Sequence, residues 1–286
     1  MTSAVSAQAP AKVNLFLRVF GVMADGFHAV ETLLARTSLA DDLSAERRES
    51  GGVTLDAEGI DAGPAEENLA VRGAQLVLDA TGHRFGVHLT LTKRIPVQAG
   101  LGGGSSDGAQ ALLLVNQLAG NAIPRHELLQ LAARLGSDVP FQLSGARLAV
   151  GWHRGERLLQ LPPLPPAPGL ILVPPSGVGT GDAYRWLDGA RTEPVRRGAV
   201  LLDLDSVSSW GDVARMAGND FEAPVFAQRP AVRTAFETLV GTGPMLCRMS
   251  GSGSAVFAVY RTARDRDDGM MMLSPKLGQR FAVEVG

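Results

Sequence analysis

The glycine-rich run at residues 96–107, Pro-Val-Gln-Ala-Gly-Leu-Gly-Gly-Gly-Ser-Ser-Asp, limits what this chain can fold into more than any other stretch. Glycine occupies position 100 and every position from 102 to 104. Because glycine loses more backbone entropy on ordering than any other residue, the run is predicted to be a loop rather than a helix or strand. The absence of side chains also lets backbone amides approach a ligand closely.

Regular elements are predicted on both sides of this loop. Residues 87–93 alternate apolar and polar side chains like a strand, and residues 108–118 are rich in Ala and Leu, which indicates a buried helix. Ser105, Ser106 and Asp107 are residue types preferred at a helix N-cap. Free N–H groups and the positive end of the helix dipole then face one point, so the order strand, loop, helix predicts a phosphate site.

Two common phosphate-binding patterns do not fit the loop. No lysine follows the glycines, so the P-loop pattern fails, and the glycine spacing differs from that of the dinucleotide fingerprint. The alternative to a phosphate site is a flexible linker or a tight turn. Linkers are rarely bracketed by a strand and a capped apolar helix, which favours the phosphate site.

Composition and charge exclude several classes of function. The 286 residues suffice for one large domain or two ordinary ones, and 45% hydrophobic residues supply a sizeable core. A net charge of −2 and an aromatic content of 5% argue against binding of nucleic acid or an anionic membrane. The single cysteine, Cys247, excludes an internal disulfide and a Cys-rich metal site, and the five histidines lack metal-ligand spacing.

These features are typical of a cytoplasmic protein without a protein-built metal site. No apolar run approaches the length of a membrane span, and residues 1–10 lack the basic start and long apolar stretch of a signal peptide. We expect residues 1–10 to form a frayed tail. We also expect the protein to be a monomer or a weak homodimer.

The first predicted strand carries two polar side chains on one face. Apolar and polar residues alternate over residues 11–20, so Lys12 and Asn14 point to the same side of the strand, two residues apart. On this pattern alone the favoured interpretation of Lys12 is a solvated lysine at a sheet edge.

A turn follows at Asp25-Gly26, which is a strong turn signal. It places Phe27 beside His28 on a loop, where a flat aromatic face and a hydrogen-bonding group are available to a heterocycle. The alternative is a turn that is covered by a core phenylalanine.

Three further segments carry candidate groups. A helix is predicted from about residue 68, with Asn68 as its cap or as an outward polar group. Asp138 follows a predicted helix exit, where a carboxylate either caps the next turn or is held for use. A second glycine-bearing loop at residues 176–184 offers Thr180 and Tyr184 to a ligand.

Two segments bear on the organisation of the chain. Residues 161–168 are stiff and rich in proline, and they mark either a domain boundary or a surface connection. Residues 246–260 predict a strand, a small-residue turn at 250–254 and a second strand. The turn is a plain β-hairpin turn or a second backbone surface close to the phosphate site, and both descriptions can hold together.

Three motifs in combination resemble those of the GHMP kinase superfamily. They are Pro-Ala-Lys-Val-Asn-Leu at 10–15, the loop at 96–106 and Ser-Gly-Ser-Gly-Ser-Ala-Val-Phe at 250–257. The resemblance implies a two-domain α+β fold. Residues 1–160 would form the ATP-binding domain, similar to domain 2 of ribosomal protein S5, and residues 161–286 a ferredoxin-like domain.

Within the superfamily, the chain is most similar to the branch that acts on 4-diphosphocytidyl-2-C-methyl-D-erythritol. The similarity rests on residues 11–17, Asp-Gly-Phe-His at 25–28, the triple glycine at 102–104 and Leu-Gly-Ser-Asp-Val-Pro at 135–140. It implies ATP as donor, Mg²⁺ as helper and the 2-hydroxyl of the methylerythritol unit as acceptor. The product would be the 2-phosphate, an intermediate of the non-mevalonate isoprenoid route.

The resemblance also implies the catalytic pair, because Lys12 and Asp138 match the positions of the family's catalytic residues. Phosphoryl transfer needs a positioned hydroxyl, an acceptor for its proton and stabilisation of the developing charge. Asp138 would act as the base, and Lys12 would hold Asp138 ionised and stabilise the oxygen as it gains charge.

The glycine-rich loop matches the family's phosphate cradle, with backbone amides in place of the P-loop lysine, and Asn68 lies where the family contacts adenosine. Ser105 or Ser106 would help to hold Mg²⁺. The implied cofactor-binding residues are Asn68, Pro96, Gly100, Leu101, Gly102, Gly103, Gly104, Ser105 and Ser106.

Contacts to the cytidine substrate are implied for Asn14, Phe27, His28, Thr180 and Tyr184. Phe27 and Tyr184 would sandwich the cytosine ring, and His28 would contact its polar edge. Each stacked ring contributes on the order of 1 kcal/mol. Phe27 stands where tyrosine is common in the family, which keeps the stack and removes a hydroxyl.

Three rival functions remain open at this point. A sister kinase would phosphorylate another small alcohol such as homoserine, but the turn at 25–28 would then have no role, because it matches a reader of cytosine. A non-catalytic nucleotide-binding protein would have no need of Lys12 and Asp138. An oxidoreductase would use the glycine loop for a dinucleotide, which the glycine spacing disfavours.

Overall fold

A computed structural model describes residues 4–49, 51–191 and 203–286, which form two compact units that interleave along the chain. The first unit contains residues 1–11, 39–97 and 102–145, and the second contains residues 12–38, 98–101 and 146–286. The first two strands therefore run from one unit into the other, and the glycine-rich loop is divided between them. The boundary predicted near residue 160 stays a prediction, because it divides the chain by sequence order and these units are defined by packing.

The strands of the described residues are β1 (Ala4–Val22), β2 (His28–Arg48), β3 (Val53–Gly59), β4 (Gly86–Lys93), β5 (Leu148–His153), β6 (Arg157–Gln160), β7 (Ala167–Val173), β8 (Leu246–Met249), β9 (Val256–Val259) and β10 (Gln279–Val285). The helices are α1 (Leu69–Thr81), α2 (Gly103–Leu118), α3 (Arg125–Leu135), α4 (Val139–Ser144), α5 (Thr180–Ala190), α6 (Trp210–Met216), α7 (Glu222–Gln228), α8 (Pro230–Val240) and α9 (Ala263–Met272). None of these helices is long and apolar enough to cross a membrane.

The first unit packs α1 to α4 against a sheet of β1, β2, β4 and β3. β4 lies between β2, with which it pairs antiparallel, and β3, with which it pairs parallel. Alternation along β4 buries Val87, Leu89 and Leu91 on one face. These residues join apolar side chains of α1 and α2 in one core, and burying each such side chain stabilises the fold by about 1.5–3 kcal/mol.

The second unit is built around an antiparallel sheet. β10 pairs with β7 over its full length, from Gln279 opposite Val173 to Val285 opposite Ala167, and it meets β2 at Thr37. β7 pairs with β9, which pairs with β8, and β5 joins β2 to β6. Leu170 and Leu172 of β7 are fully buried in a core that α5, α7 and α8 complete.

Several predicted elements are confirmed. They are the strand at 87–93, the helix that begins after Asn68 and the strand–turn–strand at 246–260. Each has a local sequence pattern that tertiary packing does not oppose. The Asn68 side chain, for example, accepts from the amide of Ala70 at 2.9 Å and caps α1.

Other predictions were wrong. Residues 4–10 are part of β1 rather than a frayed tail, and residues 1–3 lie outside the described residues. Thr180 and Tyr184 stand in the first turns of α5 rather than in a loop.

Candidate active site

Lys12 belongs to a buried chain of hydrogen bonds within the second unit. Its Nζ donates to Oδ1 of Asn14 at 2.7 Å, and Nδ2 of Asn14 donates to Oγ1 of Thr32 at 2.8 Å. The Thr32 hydroxyl donates in turn to the carbonyl of Phe16 at 2.8 Å. Lys12, Asn14 and Thr32 are each at most 4% exposed, so the interpretation of Lys12 as a solvated edge lysine was wrong.

A buried ammonium needs hydrogen-bond partners, because desolvating a charge without them is costly. The backbone of β1 is also anchored here, since the amide of Lys12 donates to the carbonyl of Leu101 at 2.9 Å. This bond ties the strand that bears Lys12 to the second unit's part of the glycine-rich loop. The amide of Asn14 has both ends in hydrogen bonds, so in this arrangement it positions Lys12.

The part of the glycine-rich loop that belongs to the second unit packs on the turn at 250–254. The amide of Ala255 donates to the carbonyl of Ala99 at 3.0 Å, and the Ser250 hydroxyl donates to the carbonyl of Gly100 at 2.8 Å. Gly100 has φ of 77°, and a Cβ there would overlap the carbonyl oxygen of Ser250. Glycine is therefore required at position 100 by both its backbone conformation and the close approach.

The turn at 250–254 is held in place by Asn219, which precedes α7. Its Nδ2 donates to the carbonyls of Met249 and Gly251, each at 2.8 Å, and its Oδ1 accepts from the amide of Phe221 at 2.9 Å. Thr180 at the start of α5 lies with its hydroxyl 3.2 Å from that of Ser252. Both descriptions of the turn thus hold, because it closes the β8–β9 hairpin and it packs against the glycine-rich loop.

His28, Tyr184 and Asp188 form a second group in the same unit. The rings of His28 and Tyr184 stack with centroids 4.8 Å apart and planes at 25°, and Tyr184 meets Phe221 edge-on at 4.9 Å. Nε2 of His28 lies 2.9 Å from Oδ1 of Asp188. A carboxylate only accepts hydrogen bonds, so this contact places a proton on Nε2.

One face of Tyr184 is covered by His28 in this structure, and the sandwich of cytosine between Phe27 and Tyr184 stays a prediction. Phe27 is 53% exposed, and the Arg154 guanidinium lies 4.5 Å from its ring centroid. Arg154 also pairs with Asp25 at 3.2 Å. An exposed ring with a cation over it remains suited to a flat ligand.

The first unit holds the other part of the glycine-rich loop, which opens α2. The helix begins at Gly103, with Gly102 as a left-handed N-cap at φ 68° and no side-chain cap. The predicted capping by Ser105, Ser106 and Asp107 was therefore wrong, since all three lie within the first turns of the helix. A glycine cap leaves the first N–H groups of α2 without a side-chain partner, which is the arrangement that suits an anion.

A buried ion-pair triad of Asp41, Lys93 and Asp107 lies beneath this helix start. Nζ of Lys93 pairs with Oδ2 of Asp41 and, at 2.8 Å, with Oδ2 of Asp107. Asp41 also accepts from the amides of Arg94 at 2.5 Å and Ile95 at 2.8 Å. The triad therefore anchors the entry of the glycine-rich loop, after β4, and its exit into α2.

Burial raises the pKa of Asp107 to about 7, against the opposing effect of the Lys93 charge and with a further upward contribution from Asp41. Asp107 is only 2% exposed, and its Oδ1 has no hydrogen-bond partner among the described residues. Asp41 has two backbone donors in addition to Lys93, whereas Oδ1 of Asp107 has none among the described residues, so Asp107 is the carboxyl group whose protonated form this environment favours.

Two other predicted residues lie in the first unit. Asn68 caps α1 with its side-chain oxygen, so the capping interpretation is confirmed and the adenosine contact stays a prediction. Asp138 occupies the N-cap position of α4, yet its side chain makes no capping hydrogen bond, which disfavours the capping role.

The donor set fits a magnesium ion carried by phosphates rather than by a protein cage. The described residues contain no group of three or more His, Cys, Asp or Glu that could hold a metal. Ser105 is half-buried on the first turn of α2, whereas the Ser106 hydroxyl is fully buried without a partner in the described residues. Ser105 is thus the accessible hydroxyl of the pair, and Mg²⁺ commonly uses one protein ligand with phosphate oxygens and water.

Comparisons with known proteins identify the family of this chain. Residues 68–146 match the model of the GHMP kinases N terminal domain, and residues 201–269 match that of the GHMP kinases C terminal domain. The 4-diphosphocytidyl-2-C-methyl-D-erythritol kinase of Solibacter usitatus is 40% identical over 258 residues, covering 89% of this chain and 80% of the relative. This chain belongs to the 4-diphosphocytidyl-2-C-methyl-D-erythritol kinase family of GHMP kinases.

Further relatives support the family and the α+β fold predicted from the sequence. The Deinococcus radiodurans enzyme of the same name is 41% identical over 261 residues, covering 89% of this chain and 84% of that protein. A crystal structure of a 4-(cytidine 5′-diphospho)-2C-methyl-D-erythritol kinase has a TM-score of 0.80 at 37% identity and covers 99% of both chains. A homoserine kinase from Cytophaga hutchinsonii, at 19% identity and a TM-score of 0.72, shares the fold and covers 99% of this chain and 95% of that one.

Several residues of this GHMP kinase site were missed by sequence reasoning. Thr32, Asn219 and Asp188 lie far along the chain from the groups that they contact, and each has an ordinary local context. The triad gave one weak signal, since Lys93 and Asp107 bracket the glycine-rich loop. Their pairing through Asp41 depends on the register of β2 against β4, which a single sequence does not specify.

We predict that Gly100→Ala destabilises the protein far more than Gly243→Ala. Both glycines have φ of 77°, so both variants incur left-handed strain of about 1 kcal/mol, but nothing lies within 4 Å of a Cβ at position 243. Overlap with the Ser250 carbonyl adds about 1–3 kcal/mol at position 100. Urea denaturation measures the difference, and equal losses in the two variants would contradict the close packing of the two turns.

We also predict a pH-dependent stability difference between the wild type and Asp107→Asn. Because the folded pKa of Asp107 is raised to about 7, its contribution to the free energy of unfolding is fully present near pH 4 and is lost as the pH rises through about 7. The wild type should therefore lose stability relative to the variant by up to about 1.4 kcal/mol per pH unit.

Urea denaturation between pH 5 and pH 8 tests this prediction. The exposed Asp268, which pairs with Arg264 rather than with a histidine, supplies a matched control, since Asp268→Asn changes the same chemical group outside the core. A wild-type-minus-variant difference for Asp107 that is independent of pH, or that grows as the pH rises, would overturn the protonated state assigned to this carboxyl group.

Proposed function

We propose that the protein transfers the γ-phosphoryl group of ATP to the 2-hydroxyl of 4-diphosphocytidyl-2-C-methyl-D-erythritol, giving the 2-phosphate and ADP. The observation that carries the proposal is the buried Lys12 ammonium, which is fixed by Asn14 at 2.7 Å in a chain whose relatives bear the name of this kinase. Burial of a lysine in a family of phosphotransferases favours a role in charge stabilisation over one in solubility.

Asp138 and Lys12 are the proposed catalytic pair. Asp138 accepts the proton of the 2-hydroxyl as that oxygen bonds to the γ-phosphorus, and the bond from the γ-phosphorus to the bridging oxygen breaks to release ADP. Lys12 stabilises the attacking oxygen while it carries negative charge. Support for Asp138 is that its side chain does not cap α4, and support for Lys12 is its buried, fixed ammonium.

The proposed ATP site uses the start of α2 and the glycines before it. The uncapped N–H groups after Gly102 and the positive end of the helix dipole suit the triphosphate. Ser105 offers a hydroxyl to a Mg²⁺ ion that would neutralise phosphate charge when bound. Asn68 keeps its proposed contact with adenosine through the amide nitrogen, because its oxygen caps α1.

The proposed cytidine site uses Phe27, His28 and Tyr184, with Thr180 nearby on α5. For the cytosine ring to lie between Phe27 and Tyr184, the His28 ring must leave its stacked position on Tyr184 or the base must use another face. Asn14 is proposed to act chiefly through Lys12. The cytoplasmic setting and the monomeric or weakly dimeric state stay predictions.

A substrate panel tests the proposed reaction. ADP release is measured with the wild-type enzyme, ATP and Mg²⁺ in the presence of 4-diphosphocytidyl-2-C-methyl-D-erythritol, homoserine or mevalonate. We expect turnover with the diphosphocytidyl alcohol alone. Turnover only with one of the other two alcohols would replace the proposal with that of a sister kinase, and binding of ATP without any turnover would favour a regulatory protein on the same fold.

We predict that Asp138→Asn lowers kcat by about 100-fold or more, since general-base catalysis contributes about 10²–10⁴-fold. The KM for ATP should change by less than about two-fold, because the base does not touch the nucleotide before transfer. Asp56→Asn, which alters an exposed carboxylate on β3, is the matched control and should leave kcat unchanged. Unchanged turnover of Asp138→Asn would remove Asp138 as the base.

A further inference from the structure

The hydrogen-bond chain behind Lys12 has a direction that is fixed at both ends. The carbonyl of Phe16 only accepts, so the Thr32 hydroxyl must donate to it. The Thr32 oxygen then accepts from Asn14, which places the amide nitrogen of Asn14 towards Thr32 and its oxygen towards Lys12. The ammonium at the other end only donates, and therefore requires that oxygen.

The orientation of the Asn14 amide is thus fixed from both sides, by Thr32 at its nitrogen and by Lys12 at its oxygen. If the amide rotated by half a turn, its NH₂ group would face the Lys12 ammonium and two donors would oppose each other. Without the hydroxyl of Thr32, one buried N–H of Asn14 and the carbonyl of Phe16 would each lose their partner. Unpaired buried groups are costly, and Asn14 would keep only the contacts at its oxygen, so its amide would hold the Lys12 ammonium less rigidly.

Ser250 does not replace Thr32 in this role. Its hydroxyl lies 3.5 Å from Oδ1 of Asn14, at the limit of a hydrogen bond, and its single proton is directed to the carbonyl of Gly100 at 2.8 Å. Among the described residues, Thr32 is the partner of the Asn14 side-chain nitrogen. Thr32 is 3% exposed on β2, so water does not compete for this hydrogen bond.

We propose that Thr32 is a positioning residue for phosphoryl transfer, which acts by fixing the amide of Asn14 so that its oxygen holds the ammonium of Lys12. The proposal rests on the proposed function, since it assigns Thr32 to the same reaction. It predicts an effect on the chemical step and not on nucleotide binding, because none of the residues that these hydrogen bonds link, Lys12, Asn14, Thr32 and Phe16, belongs to the proposed ATP site.

Thr32→Val tests the proposal, because valine keeps the shape of threonine and removes the hydroxyl. We expect kcat to fall about ten-fold or more, as expected for loss of one buried hydrogen bond that orients a charged group, with the KM for ATP within about two-fold of wild type. Thr32→Ser keeps the hydroxyl and should restore kcat to within about two-fold of wild type.

Two further variants separate positioning from plain stability. Thr37→Val makes the same change at another buried threonine of β2, which is not one of the four residues linked from Lys12 to Phe16, and should leave kcat unchanged whatever it does to the free energy of unfolding. In a Lys12→Ala background, Thr32→Val should cause no additional loss of turnover, because Thr32 acts through Lys12. A full additional ten-fold loss in that background would show that Thr32 acts by another route.

The outcomes distinguish this inference from the proposed function. If the wild type shows no turnover with the diphosphocytidyl alcohol, the proposed function fails. If the wild type is active and Thr32→Val matches it in kcat, the positioning role fails alone. If Thr32→Val does not fold, Thr32→Cys replaces it. The kcat should then fall in the order wild type, Thr32→Ser and Thr32→Cys, because a thiol is a weak hydrogen-bonding group. Equal kcat values for Thr32→Cys and the wild type would overturn the proposal.

Discussion

The second unit depends on a buried ammonium that is held by a directed chain of hydrogen bonds. A lysine placed 3% exposed in a sheet is tolerated only with good acceptors, and Asn14 supplies one at 2.7 Å. The hydrogen bonds continue from Asn14 to Thr32 and from Thr32 to the carbonyl of Phe16, so a main-chain group of β1 fixes side chains of both β1 and β2. The position of Lys12 is thereby set by two paired strands and not by a flexible loop, which favours a precise geometry.

The glycine-rich loop is fixed in a different way in each unit. In the second unit its backbone lies against the turn at 250–254, where Gly100 admits the Ser250 carbonyl and Asn219 holds the turn. In the first unit the Asp41–Lys93–Asp107 triad anchors both ends of the loop below the start of α2. Side chains thus stabilise the loop from behind, and the first N–H groups of α2 stay available to an anion.

Much of the local structure could be predicted from the sequence, because short-range patterns decided it. The alternation of β4, the Asn68 cap of α1 and the small-residue turn of the β8–β9 hairpin each depend on neighbouring residues alone. The family could be predicted as well, because three motifs far apart in the chain matched together.

The remaining features depend on tertiary packing. The start of α2 was placed too late because serine and aspartate are good caps in general, whereas here a left-handed Gly102 begins the helix and Asp107 is drawn to Lys93. The stacking of His28 on Tyr184 and the pairing of His28 with Asp188 unite segments more than 150 residues apart. The central claim, that this site transfers phosphate to one hydroxyl, is tested most directly by phosphorus NMR of the product of a complete reaction. The account predicts one new phosphomonoester on the 2-oxygen of the methylerythritol unit for each ADP formed. A phosphate on any other oxygen, or inorganic phosphate alone, would contradict it.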